Sequence, residues 1–254
     1  MTGQARHTEE RLLSVHWWTP TLLSFTISRP ADYSFIPGQY SRLGLPDDHG
    51  RLIWRAFSMV SAPSQDTLEY YGVIVPKGLF TSRLEKLAVG DSIALDRQVF
   101  GYMTAERFTD GENLWLLSTG TGLGPSISML RDGRVMQQFS RIVVVHGARH
   151  ASDLSYSGEL HAMAAASQGR LVVVQAVSRD SDVAPGVLKG RLTGLLTSGQ
   201  MEAAAGLSLH PDSSRVLLCG NPDMIEDMRG LLHERGMRPL RRNAPGQFVT
   251  ENYW

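Results

Sequence analysis

The hydrophobic pattern of this chain changes character near residue 110, and that change fixes most of what it can fold into. From residue 13 to residue 100 the apolar stretches are short: Leu22 to Ile27, Gln39 to Leu45, Leu52 to Val60, Leu68 to Val75 and Ser92 to Leu95. Turn residues separate them, as in Arg29-Pro30-Ala31-Asp32, Pro37-Gly38, Asp47-Asp48-His49-Gly50 and Val89-Gly90-Asp91. Short strands at even spacing with turn signals predict an antiparallel β-barrel or sandwich. From Leu114 onward four continuous apolar runs follow: Leu114–Leu117, Ile142–Val145, Leu171–Val174 and Val216–Leu218. Runs without alternation suit strands buried on both faces of a parallel sheet. The first three begin roughly 30 residues apart, the size of a strand–helix–strand unit. The wider gap before Val216 leaves room for an insertion, expected at Val187 to Gln200. The polar stretch Thr104 to Asn113 is the expected boundary, giving a β unit over 1–105 and an α/β unit over 106–254.

Bulk composition narrows the function classes. Lys plus Arg and Asp plus Glu number 25 each, so no net field draws the chain to nucleic acid or an anionic membrane. Cys219 is the single cysteine, which excludes an internal disulfide and an iron–sulfur cluster held by four thiolates of this chain. A reducing compartment, the cytoplasm, is expected. The polar segment Met1 to Glu10 carries no signal-peptide pattern, and no apolar stretch reaches the length of a membrane span.

Local chemistry concentrates in a few places. Arg55-Ala56-Phe57-Ser58, inside a strand-like run, offers a cation for a pyrophosphate, a flat aromatic face and a small hydroxyl, as a flavin nucleotide needs. Gly120-Thr121-Gly122-Leu123-Gly124-Pro125 lies between a strand and a helix, where a nicotinamide nucleotide binds. Pro125 occupies the place of the third glycine of the dinucleotide fingerprint, so this turn by itself is either a tight structural turn or a nucleotide site. A chain carrying both features can pass a hydride from one nucleotide to the other.

Parallel sheets bind ligands beyond their carboxyl edge. There the expected strands end in His146-Gly147-Ala148-Arg149 and Val177-Ser178-Arg179, with Arg191 following. Arginine and serine, with no ribose-binding carboxylate, suit a 2′-phosphate, hence NADP rather than NAD; solvated surface arginines are the alternative. Cys219 is either a small buried hydrophobe or a residue facing the ligand. Asn221 and Pro222 read as the cap and first residue of a helix ended by Gly236. The terminal Tyr253 and Trp254 call for burial against a partner or a planar ligand.

Arg55–Ser58, Gly78-Leu79-Phe80-Thr81, Gly120–Pro125, Cys219-Gly220-Asn221-Pro222 and the Tyr253-Trp254 ending occur in the order seen in ferredoxin–NADP reductases. Over nearly its whole length the chain resembles the bacterial ferredoxin/flavodoxin–NADP reductases that end in Tyr-Trp. The resemblance implies an antiparallel β-barrel FAD domain followed by a Rossmann-like parallel-sheet NADP domain. It implies FAD contacts from Arg55, Ala56, Phe57, Ser58, Tyr71, Leu79, Phe80, Thr81, Thr121, Tyr253 and Trp254. It implies NADP contacts from Gly120, Thr121, Gly122, Arg149, Ser178, Arg179, Arg191, Cys219 and Asp227. Ser58, Cys219 and Glu251 are the implied catalytic set: Ser58 near flavin N5, Cys219 beside the nicotinamide, Glu251 in proton supply. The family usually carries Tyr where this chain has Phe57, so stacking survives and a phenol hydrogen bond is lost.

The activity so implied is hydride transfer from NADPH to FAD and release of single electrons to ferredoxin or flavodoxin, by a monomer. Reduction of another acceptor, such as free flavin or an oxygenase system, and a flavin-binding sensor or subunit without turnover are the alternatives. An acidic carrier would be steered by Arg235, Arg238, Arg241 and Arg242, or by Lys77, Arg83 and Lys86, unless these are ordinary solvated charges.

Overall fold

The computed structural model describes residues 6–251, and Tyr253 and Trp254 lie outside them. Six strands come first: β1 (His7–Trp17), β2 (Leu22–Ser28), β3 (Tyr40–Pro46), β4 (Leu52–Ser58), β5 (Thr67–Val73) and β6 (Ser92–Asp96), with a short helix α1 (Thr81–Leu84) before β6. They form an antiparallel sheet in the order β4-β3-β6-β1-β2-β5. Its outer strands meet: Met59 bridges Tyr70, and the Val60 N–H donates to the Glu69 carbonyl at 2.8 Å. That seam closes the sheet into a barrel around Leu12, Phe25, Ile27, Leu43, Tyr70 and Leu95.

Strand β1 was not foreseen as a strand, and its composition explains why. Between His7 and Trp17 it buries Glu10 and Leu12, while Leu13, His16 and Trp17 are exposed. Residues 7–11 pair with β6 and residues 12–17 with β2, with a bulge after Leu12. One strand thus serves both halves of the barrel and bends at the bulge.

The second half alternates strands and helices: β7 (Asn113–Thr119), α2 (Gly124–Asp132), α3 (Arg134–Gln138), β8 (Arg141–Ala148), α4 (Ser157–Ala166), β9 (Leu171–Val177), β10 (Val187–Lys189), α5 (Leu192–Thr197), α6 (Gln200–Ala205), β11 (Ser214–Cys219), α7 (Pro222–Glu234) and β12 (Phe248–Glu251). The sheet is parallel throughout, in the order β10-β9-β8-β7-β11-β12. The four apolar runs are its central strands, β7, β8, β9 and β11. The insertion expected at Val187 to Gln200 contains the edge strand β10 and helix α5. Strand order reverses between β7 and β11, which places a ligand crevice beyond their carboxyl ends.

Ile142 and Val144 face α2 to α4 and the barrel, while Val143 and Val145 face α5 to α7. The fold is therefore an antiparallel β-barrel followed by a Rossmann-like parallel α/β unit. No described helix is long and apolar enough to cross a membrane.

Leu12 carries the packing of β1. Leu12→Ala should cost about 2–5 kcal/mol, whereas Leu13→Ala, at a position 42% exposed, should change stability by about 0.5 kcal/mol or less. Urea unfolding of the two variants checks this, and equal losses would contradict the assigned register.

Candidate functional site

Two turns meet at the reversal point of the parallel sheet. After β7 the chain makes a 3-10 turn, Gly120–Leu123, and enters α2 with Pro125 in its first turn. After β11 it turns through Gly220, at φ +139°, into α7, where Asn221 caps the helix by accepting from the Met224 N–H at 3.2 Å. The turns fit together because Gly122 and Gly220 carry no side chain where they cross. A Cβ on Gly122 would lie 2.6 Å from the Cys219 carbonyl oxygen, and one on Gly220 would lie 2.8 Å from the Thr119 nitrogen. The Asn221 N–H donates to the Thr119 hydroxyl at 2.9 Å.

This junction rests on the barrel at Ser58. A Cβ on Gly124 would be 3.7 Å from the Ser58 Cβ and 3.4 Å from the Val60 Cγ2. Ser58 pairs with Tyr40 in the barrel, and Tyr40 bridges Phe100. Gly101 follows, close against the Glu251 carboxylate. Glu251 accepts from the backbone N–H groups of Tyr102 and, at 3.2 Å, Met103, and it stands beside Cys219 in the β11–β12 pairing. Ser58, Thr121, Cys219 and Glu251 are thus gathered around one junction of the two units. Burial, then the nearby Glu251 carboxylate, pushes the Cys219 thiol far up, so it stays neutral. The Glu251 carboxylate is engaged by the chain that links the two units.

The remaining residues expected at FAD are spread along the barrel. Arg55 is exposed; its guanidinium donates to the Trp54 carbonyl at 2.8 Å and has no carboxylate partner among the described residues. Ala56 is half-buried beside it. Phe57 turns its ring into the barrel. It meets Phe25 and Tyr70 edge-on at centroid distances of 5.7 and 6.2 Å and Phe80 at 5.4 Å, and Gly72 leaves room for it. Phe80 is buried with it, while Leu79 is exposed. The Thr81 hydroxyl closes the preceding turn, accepting from the Val75 N–H and donating to the Val75 carbonyl, both at 3.1 Å. At α1 the Ser82 N–H donates to the Gly78 carbonyl and the Arg83 and Leu84 N–H groups to the Phe80 carbonyl, each at 3.0 Å. Tyr71 points the other way, toward α4. Its hydroxyl donates to Ser155 at 2.8 Å, and burial pushes its pKa up to about 12.

At the carboxyl edge of β8 and β9 the arginines come together. The Arg179 N–H donates to the Arg149 carbonyl at 2.9 Å, and the Ser178 N–H to the Ala148 carbonyl at 3.1 Å. Gly190 bonds back to Val177, which brings Arg191, the residue before α5, to the same edge. Arg149, Ser178, Arg179 and Arg191 are exposed, and none of the three guanidinium groups has an ion-pair partner among the described residues. The neighbouring Asp180 carboxylate is taken by His150 at 2.7 Å and the Ala151 N–H at 2.6 Å. The Ser178 hydroxyl donates to the Ala148 carbonyl at 3.3 Å, and the three guanidinium groups without an ion-pair partner give this edge a donor set suited to a phosphate monoester. Asp227 is exposed on α7.

Two suggested carrier-steering cations are spent elsewhere. Arg235 binds Glu202 and two backbone carbonyls, and Arg83 binds Asp48, the Pro46 carbonyl and the Leu79 carbonyl. Arg241, Arg242, Lys77 and Lys86 are exposed. Sequence reasoning missed the cross-unit contacts of Ser128, Arg131 and Tyr156, whose spacing carries no motif.

Comparison with known proteins places these features in a lineage. Residues 116–230 match the family model of the oxidoreductase NAD-binding domain. The chain is 38% identical over 245 residues to the flavodoxin/ferredoxin–NADP reductase of Escherichia coli (strain K12), covering 96% of this chain and 97% of that one. It is 36% identical over 253 residues to the ferredoxin–NADP reductase A of Sorangium cellulosum, covering 96% and 89%. The crystal structure of a ferredoxin NADP+ reductase from Neisseria gonorrhoeae with bound FAD and NADP superimposes with a TM-score of 0.93 at 36% identity, covering 99% of this chain and 100% of that one.

His146, on β8 beside the Gly120 backbone, is fully buried, and burial pushes its pKa from 6.5 down to about 4. The unfolded chain takes up this proton near pH 6.5, whereas the folded protein refuses it until about pH 4. The neutral imidazole therefore contributes full stability above pH 6.5 and loses it as pH falls, by about 2 kcal/mol on reaching about pH 5. Urea unfolding at about pH 7.5 and about pH 5 should show His146→Asn losing less stability than the parent over that interval; identical losses would rule out His146 as the titrating group.

Proposed function

The chain belongs to the flavodoxin/ferredoxin–NADP reductases, and we propose that it transfers a hydride from NADPH to FAD and then single electrons to ferredoxin or flavodoxin. The observation that carries this reading is the placement of Gly124 next to Ser58, where an added Cβ would lie 3.7 Å from the Ser58 Cβ, which sets a nicotinamide-nucleotide turn beside a strand of flavin-binding composition. When bound, FAD supplies the conversion between two-electron and one-electron chemistry. The protein's own residues bind, orient and exclude water.

Arg55 would neutralise the FAD pyrophosphate, helped by the N–H groups of Leu79, Phe80 and Thr81. Ala56 and Ser58 line the place where the hydride is delivered, with the Ser58 hydroxyl at its edge. Phe57 supports that place from inside the barrel and would offer its remaining exposed side to the ring. Tyr71 holds the units together through Ser155 as it borders the flavin nucleotide. Tyr253 and Trp254 would cover the flavin.

Gly120, Thr121 and Gly122, at the start of α2, would receive the NADP pyrophosphate, since unpaired N–H groups and the helix dipole favour an anion. Arg149, Ser178, Arg179 and Arg191 would clasp the 2′-phosphate, with Asp227 at the edge of the adenosine. Cys219, held as a neutral thiol, lines the nicotinamide side as a small apolar surface rather than a nucleophile. Glu251, tethered by two backbone N–H groups, would hold a negative charge close to the site and could relay a proton only by loosening that tether.

We take residues 1–105 and 106–254 as the flavin and nicotinamide units. We place the reaction in the cytoplasm and treat the chain as a monomer. Of the cations weighed for steering an acidic carrier, Arg238, Arg241, Arg242, Lys77 and Lys86 have the needed exposure.

Anaerobic stopped-flow absorbance tests the reading. The purified protein should be yellow and bleached by NADPH much faster than by NADH. Arg149→Ala and Arg179→Ala should each weaken NADPH binding by about 10–100-fold and leave NADH reduction unchanged. A colourless protein that takes up no FAD, or a yellow one indifferent to NADPH, would overturn it. Turnover with free flavin but with neither ferredoxin nor flavodoxin would overturn the choice of carrier.

A further inference from the structure

Helix α2 does more than start at the nucleotide turn. Gly124, Ser128 and Arg131 recur at the four- and three-residue spacing that puts them on one helix face, and that face lies along the segment of barrel that follows Ser58. At the first turn Gly124 faces Ser58 and Val60, with a Cβ's width between them. In the middle the buried Ser128 hydroxyl donates to the Ser61 carbonyl at 2.6 Å. In the last turn Arg131 reaches three groups at once: Glu69 of β5 at 2.5 Å, the Val60 carbonyl at 3.4 Å, and both carboxylate oxygens of Glu159 on α4, at 2.7 and 3.0 Å. The Tyr156 hydroxyl donates to the other oxygen of Glu69 at 2.7 Å. The side chains of Arg131, Glu69 and Glu159 are only 16, 18 and 30% exposed. Burial opposes the guanidinium charge, but the hydrogen bonds it donates to Glu159 and Glu69 outweigh it and hold Arg131 charged.

We propose that Arg131, through Glu69 and Glu159, is a positioning residue that sets where the hydride donor sits over its acceptor. This rests on the activity proposed above. A helix rises about 1.5 Å per residue, so Arg131 holds α2 about 10 Å from the end that carries the nucleotide turn. A bidentate charge-assisted pair fixes direction as well as distance. With Ser128 in the middle and Gly124 against Ser58, α2 is registered on the barrel at three points. The Arg131–Glu69 pair joins the two units, and the Arg131–Glu159 pair joins α2 to α4 behind it. Hydride transfer requires near-contact of the reacting atoms, and a misplacement of about 1 Å can cost about 100-fold in rate. The arginines that would hold the 2′-phosphate lie at the far edge of the sheet, after β8 and β9 and before α5, so they keep NADPH attached while a shift of α2 moves its reacting end. The clasp therefore acts on the chemical step more than on affinity.

The test uses the FAD-loaded protein. Arg131→Gln, Glu69→Gln, their combination and the gentler Ser128→Ala are compared with the parent for flavin content, NADPH dissociation constant, limiting rate of flavin bleaching at saturating NADPH, and thermal melting. Arg131→Gln and Glu69→Gln should keep FAD and bind NADPH within about twofold, while the limiting rate falls about 10–100-fold. The combination should be no slower than the worse single variant, because both remove one contact. Ser128→Ala should slow the same step by a smaller factor and covers the case in which a charge variant fails to fold. Limiting rates equal to the parent's in folded variants would overturn the proposal, as would a loss of FAD or NADPH affinity large enough to account for the slower rate. A parent that NADPH does not bleach would instead overturn the activity itself, with flavin content and melting still measurable in every variant.

Discussion

The site depends on backbone touching backbone where two parallel strands end. At Gly122 and Gly220 there is no space for a Cβ: one would fall 2.6 Å from the Cys219 carbonyl oxygen, the other 2.8 Å from the Thr119 nitrogen. This contact draws the turns after β7 and β11 into one surface. It sets the starts of α2 and α7 side by side and leaves Gly124 facing Ser58. A side chain at Gly122 or Gly220 would push the two turns apart, whereas a Cβ at Gly124 would just fill the space beside Ser58 and Val60. The sheet supplies the crevice, and the missing side chains determine how close its two halves stand.

Charge is distributed with the same economy. Wherever the two units or their connecting segment must be fixed, a cation is paired. Arg215, 4% exposed, holds Asp110 of the connecting segment at 2.7 Å, and Arg131 joins β5 to α4. Arg42 holds Asp96 inside the first sheet, and Arg235 holds Glu202 inside the second unit. Arg55, Arg149, Arg179 and Arg191 have no carboxylate partner among the described residues. Arg149, Arg179 and Arg191 leave the same edge of the sheet, and a phosphate bound there would gain several charge-assisted bonds. The neutral total in composition therefore conceals two populations, one structural and internally balanced, the other left for anionic ligands.

What could be read from the sequence follows from how each signal arises. The runs Leu114–Leu117, Ile142–Val145, Leu171–Val174 and Val216–Leu218 are visible because parallel strands with helices on both faces cannot afford polar residues. Asn221 and Pro222 announce a helix start by local chemistry alone, and Asn221 does cap α7. Strand β1 is hidden because it buries few apolar side chains and much of its length faces water. Phe57 illustrates a limit of motif reading: its place in a tetrad identifies a strand but not which way its ring points, which is decided by Phe25, Tyr70, Phe80 and the space left at Gly72. Arg83 and Arg235 looked like surface charge because their partners, Asp48 and Glu202, are more than 30 residues away in sequence.

Cys219 and Glu251 show how neighbourhood assigns chemistry that residue type leaves open. A cysteine at the end of a parallel strand could act as a nucleophile if a cation lowered its pKa. Here burial and the adjacent Glu251 both work in the opposite direction, and the thiol keeps its proton. Glu251 in turn is engaged by the N–H groups of Tyr102 and Met103, in the chain that leaves the barrel. The carboxylate thereby ties the final strand to the barrel and makes the junction sensitive to both units. A hydrogen-bonded carboxylate and a neutral thiol stand side by side, and neither is poised to form a covalent bond. That environment suits a site whose chemistry is carried by two bound nucleotides, with the protein supplying distance, orientation and a fixed electrostatic background.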